Sequence, residues 1–242
     1  CAHQGRTPPC VDRILAAGIA RVVAGCADPS AEAGGGAERL RAAGVDVELR
    51  DLPGARRQNE AWRTWATERR PYVILKLAVT LDGRVAVPGR RWVSGEEARR
   101  RVHELRAAVD AVGVGMGTVR ADAPRLDVRD APVLRQPRRL AFGRGPLPDG
   151  SELELRPGPL HEELEVLAVE GVQSLLLEGG PTIATSFLAA GLVDRLLVFV
   201  APVVAGEGPP MTGRLAEPLD LGEPELERVD ADVLLGWRLR DV

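Results

Sequence analysis

Tyr72-Val-Ile-Leu-Lys-Leu-Ala-Val79, followed at once by Thr80-Leu-Asp-Gly83, decides how this chain folds. An almost wholly apolar run of this length, rich in β-branched residues and ended by an Asp-Gly turn, predicts a central strand that turns sharply. A central strand buries its side chains, so the Lys76 ammonium inside it calls for a partner anion or a ligand. A lysine at a strand edge that snorkels to water is the plainer alternative. Among 32 Lys plus Arg, Lys76 is the only lysine. High arginine usage has compositional causes, but a lone lysine also fits a position that wants a compact ammonium instead of a planar fork.

Outward from this strand, Pro71 cannot continue a helix and pushes Arg70 toward extended backbone. The charged helical stretch from Arg56 to Arg70 is therefore expected to end there, with a domain boundary. From Val11 to Leu49 the pattern is short helix, strand (Arg21–Cys26), Gly-rich loop, helix (Ala37–Ala43) and strand (Val45–Leu49), half of an α/β layer. Downstream, Ser94-Gly-Glu-Glu97 has capping-box spacing and predicts a helix from about Gly95 to Ala108. Strands follow at Ala111–Val114 and Leu140–Phe142, a helix near His161–Glu170, a strand at Ser174–Leu177 and a helix at Thr182–Ala190. The last strands are expected at Arg195–Ala201 and near Val233–Leu239. This alternation predicts an α/β fold with a mostly parallel, helix-covered sheet. The expected division is a segment over 1–68 and a domain over 71–242.

With 242 residues and 3% aromatics, the core must be aliphatic. A net charge of −3 offers no basic field to draw nucleic acid, so no nucleic-acid partner is expected. Three cysteines are too few for a disulfide framework, and no signal-like start or long apolar run is present; the expectation is a cytoplasmic protein with no membrane partner.

The chain opens Cys1-Ala-His-Gln-Gly-Arg-Thr-Pro-Pro-Cys10. Two thiolates leave a tetrahedral zinc half-ligated, and a zinc deaminase needs a His-x-Glu upstream to complete the site and activate water. His3 and His103 lie in no such motif, and His161-Glu162-Glu163 lies far downstream in an acidic stretch. Cys1 and Cys10 thus read as an incomplete zinc site in a truncated segment, or as a packed thiol pair. Gly113, Gly115 and Gly117 end a strand and expose backbone, with the Thr118 hydroxyl beside them; by itself the run does not single out a cofactor. Glu178-Gly-Gly-Pro-Thr182 joins a strand to a helix with Pro181 near its first position, where free amides suit a pyrophosphate; a tight connection reads the same way.

These strings together resemble one family, the bifunctional deaminase/reductases of riboflavin biosynthesis. The decapeptide Cys1–Cys10 resembles their zinc segment, and Ala16–Val23 with Asp28-Pro29 continues it. Lys76–Gly83, Trp92-Val-Ser-Gly95, His103-Glu-Leu-Arg106, Asp110–Arg129, Leu177–Ala184 and Ala201–Gly206 are similar to the reductase half, in order. The resemblance implies a dihydrofolate-reductase-like mixed sheet with helices on both faces over 71–242, preceded by a partial cytidine-deaminase-like α/β segment. It implies NADPH-dependent reduction of the ribosyl group of 5-amino-6-(5-phosphoribosylamino)uracil to the ribityl group. Asp122 and Lys76 would be catalytic, Asp122 as an acid/base near the nicotinamide if burial raised its pKa; as a local helix terminator it would have no such role. Cofactor contacts would fall at Ala78, Trp92, Thr118, Asp122 and the run Gly180, Pro181, Thr182, Ile183 and Ala184. Substrate contacts would fall at Arg106, Leu126, Arg129 and Glu178, the two arginines as forks for the phosphate.

The chain departs from the family at Ala123, where Asp or Asn is usual, and at Arg90, where a substrate-binding serine is usual. Gly143-Arg144 stands for an acidic-polar pair near the cofactor, and the stretch from Phe142 to Ser174 is expected to be about one strand and one helix short. Two other readings stay open. One is a fragment of a longer enzyme whose main activity is zinc-dependent deamination, holding zinc once an upstream ligand is supplied. The other is a non-catalytic assembly module. A homo-oligomer is the expected state.

Overall fold

The computed structural model describes residues 2–5, 7–30 and 33–240. Contacts divide the chain into two compact units, one through Arg69 and one from Arg70 onward.

The first unit contains α1 (Cys10–Ala16), β1 (Arg21–Ala24), α2 (Gly36–Ala42), β2 (Asp46–Leu49), α3 (Pro53–Gln58) and α4 (Glu60–Glu68). β1 and β2 pair in parallel, and Val11, Leu40 and Val45 form a small buried core. The single helix expected over Arg56–Arg70 is in fact two. Asn59 interrupts it with φ −115, and its Nδ2 donates to the Ala55 carbonyl at 3.1 Å, a side-chain bond that competes with the helical ladder.

The second unit is built on β3 (Tyr72–Thr80), α5 (Glu96–Ala107), β4 (Ala111–Gly115), α6 (Met116–Asp122), β5 (Arg138–Phe142), β6 (Glu154–Arg156) and α7 (Leu160–Val169). It continues with β7 (Ser174–Glu178), α8 (Pro181–Ala189), β8 (Arg195–Ala201), β9 (Glu225–Val229) and β10 (Asp232–Arg238). The strand order is β6-β5-β4-β7-β3-β8-β10-β9. Pairing is parallel from β6 through β8, whereas β10 and β9 are antiparallel, so the sheet is mixed.

The period of two along β3 assigns its faces. Val73, Leu75, Leu77 and Val79 enter a core with Leu164 and Leu167 of α7 and Ala184 and Phe187 of α8. Ile74 and Ala78 face the other way, against Ala98 and Val102 of α5. Helices therefore cover both faces, and Lys76, between Ile74 and Ala78, emerges on the α5 side. Each large aliphatic side chain buried in this way contributes roughly 1.5–3 kcal/mol.

Two local expectations change. Ser94 does not cap α5; the N-cap is Gly95, with no side-chain cap bond, and the Gly95 amide donates to Asp232 Oδ2 at 2.7 Å. Gly113 does not serve a cofactor: a Cβ there would fall 2.7 Å from Phe142 Cε2, so its bareness admits a ring of the core.

Arg70 and Asp194 pin the start of the sheet. Arg70 Nη1 and Nη2 donate to the two Asp194 carboxylate oxygens at 2.6 and 2.7 Å, and the Val73 amide donates to Asp194 Oδ2 at 2.8 Å. Both side chains are buried.

Candidate active site

β3 and β7 are neighbours in parallel register, with Lys76 opposite Glu178. Both side chains therefore rise on one face of the sheet, toward α5, which presents Arg106. Arg106 Nε donates to Glu178 Oε1 at 2.5 Å and Nη2 to Oε2 at 3.1 Å, a bidentate pair. Lys76 Nζ lies 3.7 Å from Glu178 Oε2. All three side chains are no more than 15% exposed. Two cations thus share one carboxylate.

The electrostatics follow. Burial pushes the Lys76 ammonium below its ordinary value; Glu178 opposes this shift and Arg106 adds to it. Burial alone would raise Glu178, but Lys76 and Arg106 outweigh it and hold the carboxyl below its ordinary range. His103, one turn before Arg106 on α5, is also pushed down, first by burial and then by Arg106.

These groups line a cleft of about 650 Å³ at the C-terminal ends of the central strands. One wall carries Gly115, Gly117 and Thr118 from the β4–α6 junction and Gly179 to Ile183 from the start of α8. A Cβ at Gly117 would meet nothing within 4 Å, and one at Gly180 would come no nearer than 3.7 Å to Thr118 Oγ1. Both positions leave open backbone. Pro181 occupies the first turn of α8 and no side chain caps it, so the next amides have no acceptor within the helix. At the rim Trp92 is 53% exposed, with the Arg91 and Arg99 guanidinium carbons 5.0 and 5.4 Å from its ring centre.

Comparison with known proteins bears on this arrangement. The family described as the RibD C-terminal domain matches residues 71–148 and 158–235, more than half of the chain. This chain belongs to the RibD family. The riboflavin biosynthesis protein RibD of Mycobacterium tuberculosis (strain CDC 1551 / Oshkosh) is 41% identical over 220 residues, covering 85% of this chain and 65% of that protein. The chain thus spans less than two thirds of that relative. The RibD of Acinetobacter baumannii, form 1, has a TM-score of 0.85 at 30% identity, over 98% of this chain and 78% of that one. The diaminohydroxyphosphoribosylaminopyrimidine deaminase/5-amino-6-(5-phosphoribosylamino)uracil reductase of Thermotoga maritima has a TM-score of 0.83 at 28% identity, over 98% and 76%. The dihydrofolate-reductase-like class expected from the sequence is the fold of this RibD chain.

Of the residues the sequence singles out in this RibD domain, Lys76, Ala78, Trp92, Arg106, Thr118, Asp122, Arg129, Glu178, Gly180, Pro181, Thr182 and Ile183 all line the one cleft. Leu126 and Ala184 do not. Leu126 is 3% exposed and packs with Val112 and Val114; Ala184 is fully buried in the core beneath α8, its amide donating to the Gly180 carbonyl. Arg106 is not an open fork either, since Glu178 and the Asp127 carbonyl take its donors. Asp122 is exposed at the last residue of α6, so it does not have the burial expected for it.

Sequence reasoning missed His103, Arg91 and Arg99 as cleft-lining groups. A signal was available for two of them: positions 99, 103 and 106 fall on one face of a helix at spacings of four and three.

The dinucleotide reading fits the bare wall at Gly117 and Gly180 and the uncapped start of α8. Zinc does not fit. Among the described residues no group of three or more His, Cys, Asp or Glu side chains could hold a metal; Cys10 is exposed at the start of α1 and Cys1 lies outside the described residues. Also among the described residues, no helix is long and apolar enough to cross a membrane.

Proposed function

We propose that the second unit reduces the ribosyl group of 5-amino-6-(5-phosphoribosylamino)uracil to the ribityl group in riboflavin biosynthesis, with NADPH as the reductant. The observation that carries this reading is the buried Lys76–Glu178–Arg106 trio in one cleft with the open backbone at Gly117 and Gly180. Support also comes from the Thermotoga maritima relative, whose name includes this reductase.

Bound NADPH would supply the hydride. The chain itself must bind, orient and provide a proton: the C1′–O4′ bond opens, C1′ gains the hydride, and the net uptake of one proton leaves O4′ as a hydroxyl. Lys76 Nζ, which burial makes readier to release its proton, is our candidate to protonate or stabilise the developing charge at O4′. Glu178 would hold Lys76 in that orientation, and Arg106 would hold Glu178. Asp122, exposed at the end of α6 in the same cleft, would orient the nicotinamide. Arg129, more than half exposed at the cleft, would take the phosphate. The α8 amides, Gly117 and Gly180 would hold the dinucleotide, with Trp92 as a stacking surface.

The test is a titration of the full chain with NADPH and with NADH, followed by addition of the deaminated pyrimidine. We expect tighter binding of NADPH, its oxidation only when substrate is present, and a lower turnover in Asp122→Asn. Folded protein that oxidises no NADPH with this substrate contradicts the reading.

A further inference from the structure

The segment Asp127-Val128-Arg129 belongs to no helix or strand, yet three side chains fix its backbone at consecutive residues. Arg106 Nη1 donates to the Asp127 carbonyl at 2.9 Å. The Val128 amide donates to Gln136 Oε1 at 2.7 Å, and Gln136 Nε2 donates to the Val128 carbonyl at 2.9 Å. The Arg129 amide donates to His103 Nδ1 at 3.3 Å. Gln136 thus supplies both bonds that a neighbouring strand would supply, and Val128, 5% exposed, anchors the segment below.

His103 is 8% exposed and lines the cleft. Because its Nδ1 accepts, the neutral ring carries its proton on Nε2, which lies 3.5 Å from Asp130 Oδ2. The same two side chains of α5, His103 and Arg106, therefore reach the cleft and hold this loop. Arg129 emerges from the fixed peptide with its side chain 53% exposed and its Nε 3.3 Å from Asp127 Oδ1. Unbraced surface loops are mobile, and an arginine on a mobile peptide loses more entropy when it binds.

We propose that His103 and Gln136 are positioning residues for substrate: they fix the peptide from which Arg129 reaches the phosphate of the phosphoribosyl group. The inference rests on the proposed role of Arg129 as phosphate anchor. A brace of this kind acts on ground-state and transition-state binding alike, so it affects KM and leaves kcat nearly alone.

The experiment uses the full chain, with ribose 5-phosphate as the binding probe and steady-state kinetics on the complete substrate. Arg129→Ala should weaken ribose 5-phosphate by about tenfold. His103→Leu, which loses one hydrogen bond to the loop, should weaken it by about fivefold, and Gln136→Ala, which loses two, by at least as much, each with KM raised in proportion and kcat within about twofold. His103→Asn retains an acceptor for the Arg129 amide and should restore affinity to within about twofold of the parent. If Arg129→Ala weakens the probe and the His103 and Gln136 variants do not, the brace is wrong and the anchor stands. If Arg129→Ala has no effect, the anchor fails and the brace with it. Loss of kcat at constant KM also overturns the proposal. Should His103→Leu fail to fold, Gln136→Ala decides the matter alone, because that side chain is exposed.

Discussion

β3 begins beside one buried ion pair and carries a lysine of another in its middle, and the two differ in how completely their charges are matched. Beside its first residues the Arg70 guanidinium engages both Asp194 carboxylate oxygens, one of which also accepts from a backbone amide. At its middle Lys76 and Arg106 share the single carboxylate of Glu178, and Lys76 stands 3.7 Å off, beyond a good hydrogen bond. The first group is closed and faces the interior. The second is left with an excess cation whose proton is loosened by burial, and it opens on a cleft. A saturated pair serves the fold, whereas an unbalanced one is available to a ligand.

The sharpest break in that comparison is Asp194→Ala. It removes the buried carboxylate from the Arg70 guanidinium and the Val73 amide, and should cost about 3–5 kcal/mol of unfolding free energy, measured by urea denaturation. Turnover per folded molecule should stay unchanged. Lys76→Met should do the reverse: the Arg106–Glu178 pair survives, so stability should move by no more than about 1.5 kcal/mol, while turnover falls by about a hundredfold or more.

A smaller effect concerns acid. Glu178 has a folded pKa below its ordinary 4.5, so its contribution is complete above that pH and is lost as pH falls through the lower folded value. The stability gap between wild type and Glu178→Gln should be flat above about pH 5 and close below it, as read from urea titrations at stepped pH.

The smallest effect should come from Ala123. It closes α6 with φ 42, in the left-handed region that glycine and asparagine tolerate better than alanine. Ala123→Gly should raise stability by up to about 1 kcal/mol. An Asn at this position would likewise suit the conformation found here.

How legible these regions were in the sequence depended on range. The strand expected at Tyr72–Val79 is found at Tyr72–Thr80, because an uninterrupted apolar run between Pro71 and an Asp-Gly turn admits little else. The final strand and the helices around His161 and Thr182 likewise follow from local pattern. The edge strand β9 was missed because four of its five residues are exposed and three are charged, so no burial period marks it. Helix α6 was missed because Gly115 and Gly117 read as a strand end opening into a loop. At the cleft, Lys76 and Glu178 were legible as an unusual strand lysine and a carboxylate before a Gly-Gly-Pro turn. Their union with Arg106 was not, since 72 residues separate Arg106 from Glu178 and only the parallel register of β3 on β7 brings Lys76 and Glu178 together. The burial of Leu126 was hidden for a related reason: its φ of 56 turns the side chain into a core that no local pattern predicts.

The most direct measurement is NADPH oxidation by wild type and Lys76→Met with 5-amino-6-(5-phosphoribosylamino)uracil, alongside NADPH affinity on the same samples. We predict substrate-dependent oxidation by wild type and a loss of about a hundredfold or more in the variant at unchanged NADPH affinity. Equal turnover in the two proteins, or none in folded wild type, would contradict the assignment of chemistry to this lysine and its cleft.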